Sequence, residues 1–269
     1  MKDHSTAYMA GLIDTDGTIG IYYRGSSGYQ AGLEFYNDSK EVMNWVVEHF
    51  GGTYKVKKDP RRLTVGYRWT TQGRLHLCRF IDILLPYLVL KKSEASILRQ
   101  FLSLTGECPD HRKYLADTCR FVKGQRSIVE TDMLESFLRN KPNLIQAYVA
   151  GLLDGDGNID TYEDSVRIGF TNMCEPLMDL LIKMFGGGKY KCKPTTWRWQ
   201  LGAFRYQENL LLKVLPYLVL KRERAKKALN FVRERLATER IFGAPCKKFV
   251  IQSELMGDHE SALVEKPEA

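Results

Sequence analysis

Two short carboxylate clusters carry the strongest chemical signal in the chain. Asp14 and Asp16 close the segment YMAGLIDTDGTI (8–19), and Asp154 and Asp156 close YVAGLLDGDGNI (148–159). The segments lie 140 residues apart and agree at eight of twelve positions. In each, an apolar run that reaches Asp-x-Asp-Gly reads as a helix stopping at the glycine. A helix C-terminus carries orphan carbonyls and partial negative charge. Carboxylates added there make a hard-oxygen site suited to Mg²⁺, and without a cation two adjacent carboxylates perturb each other's ionisation. Asp14 and Asp154, two residues earlier, are read as structural carboxylates that accept hydrogen bonds at the helix ends. An EF-hand loop fails on spacing: counting from Asp154, positions 6 and 12 are Ile159 and Ser165 instead of Gly and Glu.

One Asp-x-Asp-Gly on its own is ordinarily a capped helix entering a turn. Here the motif recurs with the same small-residue face, Ala7, Ala10 and Gly11 in the first copy and Ala147, Ala150 and Gly151 in the second. Small residues at this spacing let two helix backbones approach closely. Packed about a pseudo-twofold axis, the two helices bring Asp16 and Asp156 side by side. Two further blocks repeat in the same order. HFGGTYKVK from His49 matches MFGGGKYKCK from Met184, and LPYLVLK occurs at 85–91 and at 215–221. A unit of about 100 residues is therefore duplicated, the second copy being ten residues shorter between Asp and the closing Lys (156 to 221 against 16 to 91).

Each copy reads as αββαββαα, an α+β class. After the first helix come strands over 19–24 and 29–36, matched by 159–162 and 166–171. An amphipathic helix over 41–50 (partner 176–185) stops at Gly-Gly. Strands over 54–58 and 64–70 are matched by 189–193 and 197–201. Two closing helices span 73–85 and 91–104, matched by 206–215 and 221–236. Helices cover one face of each four-stranded antiparallel sheet and leave the other free. The expected boundaries are 1–105 and 144–240 for the units, 106–143 for a connector with helices over 112–121 and 131–138, and 241–269 for a tail frayed at its end.

The composition narrows the function classes. Forty Lys and Arg against 32 Asp and Glu give a net charge of +8, which favours a polyanionic partner. No apolar run is long enough for a transmembrane helix, and no charged-then-apolar leader opens the chain, so an intracellular, membrane-free protein is expected. The six cysteines form no C-x-x-C pair and read as reduced packing residues. The five histidines form no zinc cluster or H-N-H pattern.

The doubled motif resembles the signature of the LAGLIDADG homing endonucleases in their single-chain, two-motif form. The resemblance covers nearly the whole chain, because the element order and both LPYLVLK blocks fit it. It implies two sheets forming a saddle over double-stranded DNA, and a monomer that hydrolyses phosphodiesters at a long asymmetric target with Mg²⁺. Mn²⁺ is the expected substitute, and Ca²⁺ is expected to support binding alone. The metal acids are then Asp16 and Asp156, with the carbonyls of Thr15 and Gly155 beside them. Lys91 and Lys221 are the catalytic lysines. Asn37 and Asn172 stand where the family often has Gln to orient water. Cleavage across the minor groove with cohesive ends follows from the same likeness.

The free sheet faces are expected to read DNA. In the first copy the candidates are Tyr22, Arg24, Gln30, Glu34, Lys55, Lys57, Arg61, Arg62, Tyr67 and Arg68. In the second they are Tyr162, Arg167, Lys189, Lys191, Lys193, Trp197, Arg198 and Gln200. Alternation puts Lys55 with Lys57 on one face, and Lys189 with Lys191 and Lys193 on another. A saddle on a body of this size covers on the order of 15 to 20 base pairs. The copies differ in their sheets, with a longer third hairpin in the first and a hairpin about ten residues shorter in the second, so their half-sites should differ. Two rivals are an RNA-binding maturase on the same fold, which would take intron RNA, and a non-cutting DNA binder. Loss of an acid would favour either, and both acids are present.

Overall fold

A computed structural model describes residues 2–58, 65–71, 73–106, 108–125 and 142–242. Arg61, Arg62, the connector helix expected over 131–138 and the tail from 243 lie outside the described residues.

The first half runs α1 (Lys2–Asp16), β1 (Gly17–Tyr23), β2 (Tyr29–Asn37), α2 (Lys40–Phe50), β3 (Thr53–Lys58), β4 (Val65–Thr70), α3 (Gly73–Leu84) and α4 (Lys92–Ser103). Then follow α5 (Pro109–Gly124) and α6 (Pro142–Gly155). The second half continues with β5 (Gly157–Thr161), β6 (Val166–Asn172), α7 (Glu175–Phe185), β7 (Gly188–Lys193), β8 (Thr196–Leu201), α8 (Phe204–Val214) and α9 (Arg222–Phe242). The two antiparallel sheets have orders β1-β2-β4-β3 and β5-β6-β8-β7. This is the duplicated αββαββαα order the repeats imply. Among the described residues no helix is long and apolar enough to cross a membrane.

The ten-residue difference between copies is not confined to one hairpin, contrary to the expectation. Five residues fall in the first hairpin, where β1 and β2 outlast β5 and β6. Four separate the β3–β4 connection from that of β7–β8, and one lies in α3 against α8.

Each sheet is anchored by a buried tryptophan. Trp69 and Trp199 are fully buried. Their indole N–H groups donate to the carbonyls of Gly51 and Gly186, both at 2.9 Å. Those glycines end α2 and α7 with φ of 71° and 79°, a conformation that costs glycine little. Ser39 caps α2, its hydroxyl accepting from the Val42 N–H at 3.3 Å. Because side chains alternate along a strand and opposed residues share a face, each tryptophan sets the parity of its sheet. Trp69 opposes Phe35 and Tyr54, and Trp199 opposes Phe170 and Lys189.

The halves meet along α1 and α6, whose Ala7, Ala10, Ala147 and Ala150 are fully buried. A Cβ on Gly11 would lie 2.1 Å from the Tyr148 carbonyl oxygen, and one on Gly151 would lie 2.1 Å from that of Tyr8. The contact is reciprocal, as a pseudo-twofold axis through the crossing requires. No side chain fits there, so the small-residue face is a steric necessity. Gly11→Ala is accordingly expected to cost about 3 kcal/mol in denaturant unfolding, at the upper end for overpacking. Gly188→Ala, where a Cβ meets nothing within 4 Å, should not lower the midpoint. Equal midpoints for the two variants would show that the helices do not touch at Gly11.

Candidate active site

Asp16 ends α1, and Asp156 immediately follows α6. Asp16 is half-buried, and its pKa is pushed up to about 6, first by burial and then by the charge of Asp156. The Nδ2 of Asn37 donates to its carboxylate at 3.1 Å and, with Lys221 and Lys91, holds the shift back. Asp156 is also raised by desolvation, against the pull of Lys91 and Lys221. Two carboxylates from different halves therefore share one electrostatic field, in which each lysine acts on the acid of the other half.

The lysines are held by carbonyls. Lys91 is buried, and its Nζ donates to the carbonyls of Ile13 at 2.7 Å, Thr15 at 3.0 Å and Gly17 at 2.7 Å. Lys221 donates to those of Leu153, Asp154 at 2.9 Å and Gly155 at 3.3 Å. Its pKa is lowered by burial, an effect that Asp154, Asp16 and Asp156 partly oppose. The Thr15 and Gly155 carbonyls, expected to face a cation, thus each accept from a lysine and have one further lone pair to offer.

Asp14 and Asp154 are buried structural carboxylates, as the sequence suggested. Asp14 accepts from the N–H groups of Val89 at 2.8 Å, Leu90 at 3.0 Å and Lys91 at 2.9 Å. Asp154 does the same for Val219 at 2.8 Å, Leu220 at 3.0 Å and Lys221 at 2.8 Å. Each LPYLVLK segment is therefore nailed to the end of its own signature helix. Burial raises Asp14, while Lys91 and the amides restrain it. Sequence reasoning missed Tyr8 and Tyr148, whose hydroxyls donate across the interface to Asp154 at 2.9 Å and Asp14 at 2.8 Å. The available signal was their identical place at the head of each motif.

The two asparagines are not equivalent. Asn37 accepts from the Ser39 N–H at 2.9 Å while it donates to Asp16. Asn172 accepts from the Cys174 N–H at 3.0 Å and makes no described hydrogen bond to Asp156. No group of three or more His, Cys, Asp or Glu side chains suited to a metal occurs among the described residues. The donors at the paired helix ends are two carboxylates and backbone carbonyls. That hard-oxygen set fits Mg²⁺ or Ca²⁺ and does not suit a thiolate- or imidazole-bound metal.

Strand parity divides the sheet residues expected to read DNA between the two faces. In the first sheet Lys55 opposes Arg68, and Arg68 opposes Tyr36. These residues, with Lys57, Gln30, Glu34 and Tyr22, point away from Trp69. Arg68 pairs with Glu34, Lys57 lies over the Tyr36 ring at 4.9 Å, and Arg24 lies over Tyr22 at 5.7 Å. Tyr67 shares the parity of Trp69 and packs edge-on against Tyr54, so it faces the helices.

In the second sheet Arg167, Arg198 and Gln200 stand on the free face with Tyr162, whose ring lies 4.9 Å beneath Arg167. Lys189, Lys191 and Trp197 do not. They share the parity of Trp199, and Lys189 ion-pairs with Glu175 at 2.7 Å and Asp179 at 2.6 Å on α7. An irregularity between Lys191 and Lys193 places Lys193 opposite Thr196, in the row of Arg198. The three lysines are therefore not on one face.

Two pseudo-symmetric α+β halves, joined by helices whose acidic ends share a lysine-flanked site, define a class of fold met before. The chain is similar to the LAGLIDADG homing endonuclease I-GzeII in complex with its DNA target, at 12% identity and a TM-score of 0.63, over 88% of this chain and 92% of that one. It is similar also to the LAGLIDADG homing endonuclease I-SmaMI bound to cleaved DNA, at 13% identity and a TM-score of 0.60, over 88% and 91% of the two chains. I-SmaMI bound to an uncleaved target in the presence of calcium ions matches at 15% identity and a TM-score of 0.59, over 89% and 94%. The chain has the fold of the single-chain LAGLIDADG homing endonucleases. No protein-family model matches the sequence, and no curated protein matches it either.

The raised pKa of Asp16 has a stability signature. Its folded-state value near 6 lies above the ordinary 3.8, so the native state keeps the proton longer than the unfolded chain does. Its contribution to stability is present below about pH 4 and is lost as pH rises through about 6. In metal-free buffer, Asp16→Asn should therefore be more stable than the wild type at about pH 7.5, with the gap closing toward about pH 4. Urea midpoints across this range check it. A gap independent of pH would mean that the carboxylate is not perturbed.

Proposed function

We propose that the protein is a site-specific endonuclease of double-stranded DNA that acts as a single chain. Residues 1–105 and 144–240 serve as two half-site units, 106–143 as the connector and 241–269 as a tail. The observation that carries this reading is the meeting of Asp16 and Asp156 at paired helix ends, each near a lysine held on carbonyls. Structurally similar chains with DNA bound support the substrate class.

In this reading Asp16 and Asp156 hold divalent metal, Mg²⁺ for cutting, with Mn²⁺ able to replace it. When bound, the metal supplies Lewis-acid stabilisation of charge on the phosphate and lowers the pKa of water. Asn37 fixes the orientation of the Asp16 carboxylate. Lys91 and Lys221 keep positive charge beside the acids, where charge develops on the phosphorane oxygens. Asn172 has the matching place in the second half. The free sheet faces bind the phosphate backbone and base edges on either side. Their side chains differ, with Lys55, Lys57 and Arg68 on one and Arg167, Lys193 and Arg198 on the other, so the two halves of the target have different sequences. No observation here favours the intron-RNA partner of the maturase reading.

Cleavage of a randomised plasmid library with Mg²⁺, followed by sequencing of the ends, tests the activity itself. Asp16→Asn and Asp156→Asn should each abolish double-strand cleavage and leave DNA affinity within about tenfold, since acids at a metal site add little to phosphate binding. Parallel reactions in EDTA, Ca²⁺ and Mg²⁺ should give product with Mg²⁺ alone, because the larger, looser Ca²⁺ shell positions groups poorly. Full activity in EDTA would overturn the metal role.

Strand parity makes a separate prediction. Lys57→Ala, on the free face, should weaken DNA binding across sequences and reduce the salt slope by about one. Lys191→Ala, on the helix side, should leave both unchanged. Titrations at several salt concentrations decide, and a reversed order would mean that the other sheet face meets the DNA.

A further inference from the structure

The buried contacts between the halves are crossed. The Tyr148 hydroxyl, from the second half, donates at 2.8 Å to Oδ2 of Asp14, and that oxygen also takes the Val89 and Leu90 N–H groups. Oδ1 of Asp14 takes the N–H of Lys91, whose Nζ reaches back to the end of α1. In mirror fashion, the Tyr8 hydroxyl from the first half donates at 2.9 Å to Oδ2 of Asp154, which takes Val219 and Leu220, while Oδ1 takes Lys221. Tyr8, Tyr148, Asp14 and Asp154 are each no more than 3% exposed. Each carboxylate is thus held by four donors in a buried site, three from its own half and one from the other.

We propose that Tyr8 and Tyr148 are crossed positioning residues, each ordering the lysine-bearing segment of the opposite half through Asp154 and Asp14. Neither hydroxyl reaches the solvent side of the site, so neither touches DNA. Removing one leaves a buried carboxylate with three donors, free to shift toward its amides and to carry the lysine segment with it. The Asp14–Tyr148 contact then serves the half-site of Lys91, and the Asp154–Tyr8 contact that of Lys221. Under the endonuclease reading, on which this proposal rests, each unit's cut depends on a side chain of the other. A half that is not docked on its partner lacks one donor to the carboxylate that holds its lysine segment.

The test has two arms. In the first, a duplex recovered from a Mg²⁺-cleaved library is labelled on both strands, and the rate of each nick is measured. Lys91→Met and Lys221→Met assign the strand served by each lysine. Tyr148→Phe should slow the Lys91 strand by about tenfold, the lower range for loss of an outer partner, with the other strand much less affected. Tyr8→Phe should do the reverse. Equal slowing of both strands, or slowing of the strand served by the lysine of the same half, would overturn the crossing.

The second arm needs no DNA. In lysine-¹³Cε-labelled protein, Tyr8→Phe should move the Lys221 signal and Tyr148→Phe that of Lys91, with Lys→Arg variants assigning the signals. The opposite pairing, equal shifts of both or no shift would overturn the proposal. If the wild type cuts no library, the endonuclease reading fails and this arm still decides the crossing.

Discussion

The close approach of two helix backbones at Gly11 and Gly151 is the constraint on which the rest of the structure depends. With carbonyl oxygens 2.1 Å from where a Cβ would sit, the helices can meet only where both lack a side chain. That single contact fixes the pseudo-twofold axis, and with it the places of both helix ends. Asp16 and Asp156 are close enough to raise a pKa because Gly11 and Gly151 lie five residues before them on facing helices. The charge repulsion is the cost of that placement, and a divalent cation would offset it.

A second constraint acts on the sheets. The buried indoles of Trp69 and Trp199, each bonded to the carbonyl of a helix-ending glycine, set which side chains of β3, β4, β7 and β8 face the helices. In a strand a shift of one residue inverts the face of every side chain. So the charge pattern offered to a ligand is decided by two tryptophans that no ligand touches. Lys55 and Tyr190 take equivalent places in the two sheets, each opposite an arginine, Arg68 and Arg198. The two free faces thus keep one architecture with different chemistry.

Much of this was legible from the residue order. The doubled Asp-x-Asp-Gly, the small-residue faces and the repeated blocks point to the helix pair, the αββαββαα order and the paired acids, because each rests on local spacing, whereas Lys91 and Lys221 were legible only through the family resemblance. Lys189, Lys191 and Trp197 were misplaced because a run of lysines in an edge strand says nothing of parity until its buried neighbour is known. Counting from Trp199 would have found it. Lys193 was beyond even that count, since an irregularity resets the alternation. Tyr8 and Tyr148 went unseen because their partners are more than a hundred residues away, and a tyrosine heading an apolar helix reads as core. The engaged carbonyls of Thr15 and Gly155 depend on side-chain reach from Lys91 and Lys221, which a motif cannot display.

The proposed site is composite, built only when carboxylates of both halves meet. A Mn²⁺ titration followed by electron paramagnetic resonance, on the free protein at neutral pH, tests this most directly. Binding by the wild type that is lost in Asp16→Asn and also in Asp156→Asn, with circular dichroism unchanged in both, is the predicted result. Undiminished Mn²⁺ binding in either variant would contradict a shared site and leave two independent carboxylates that happen to lie near each other.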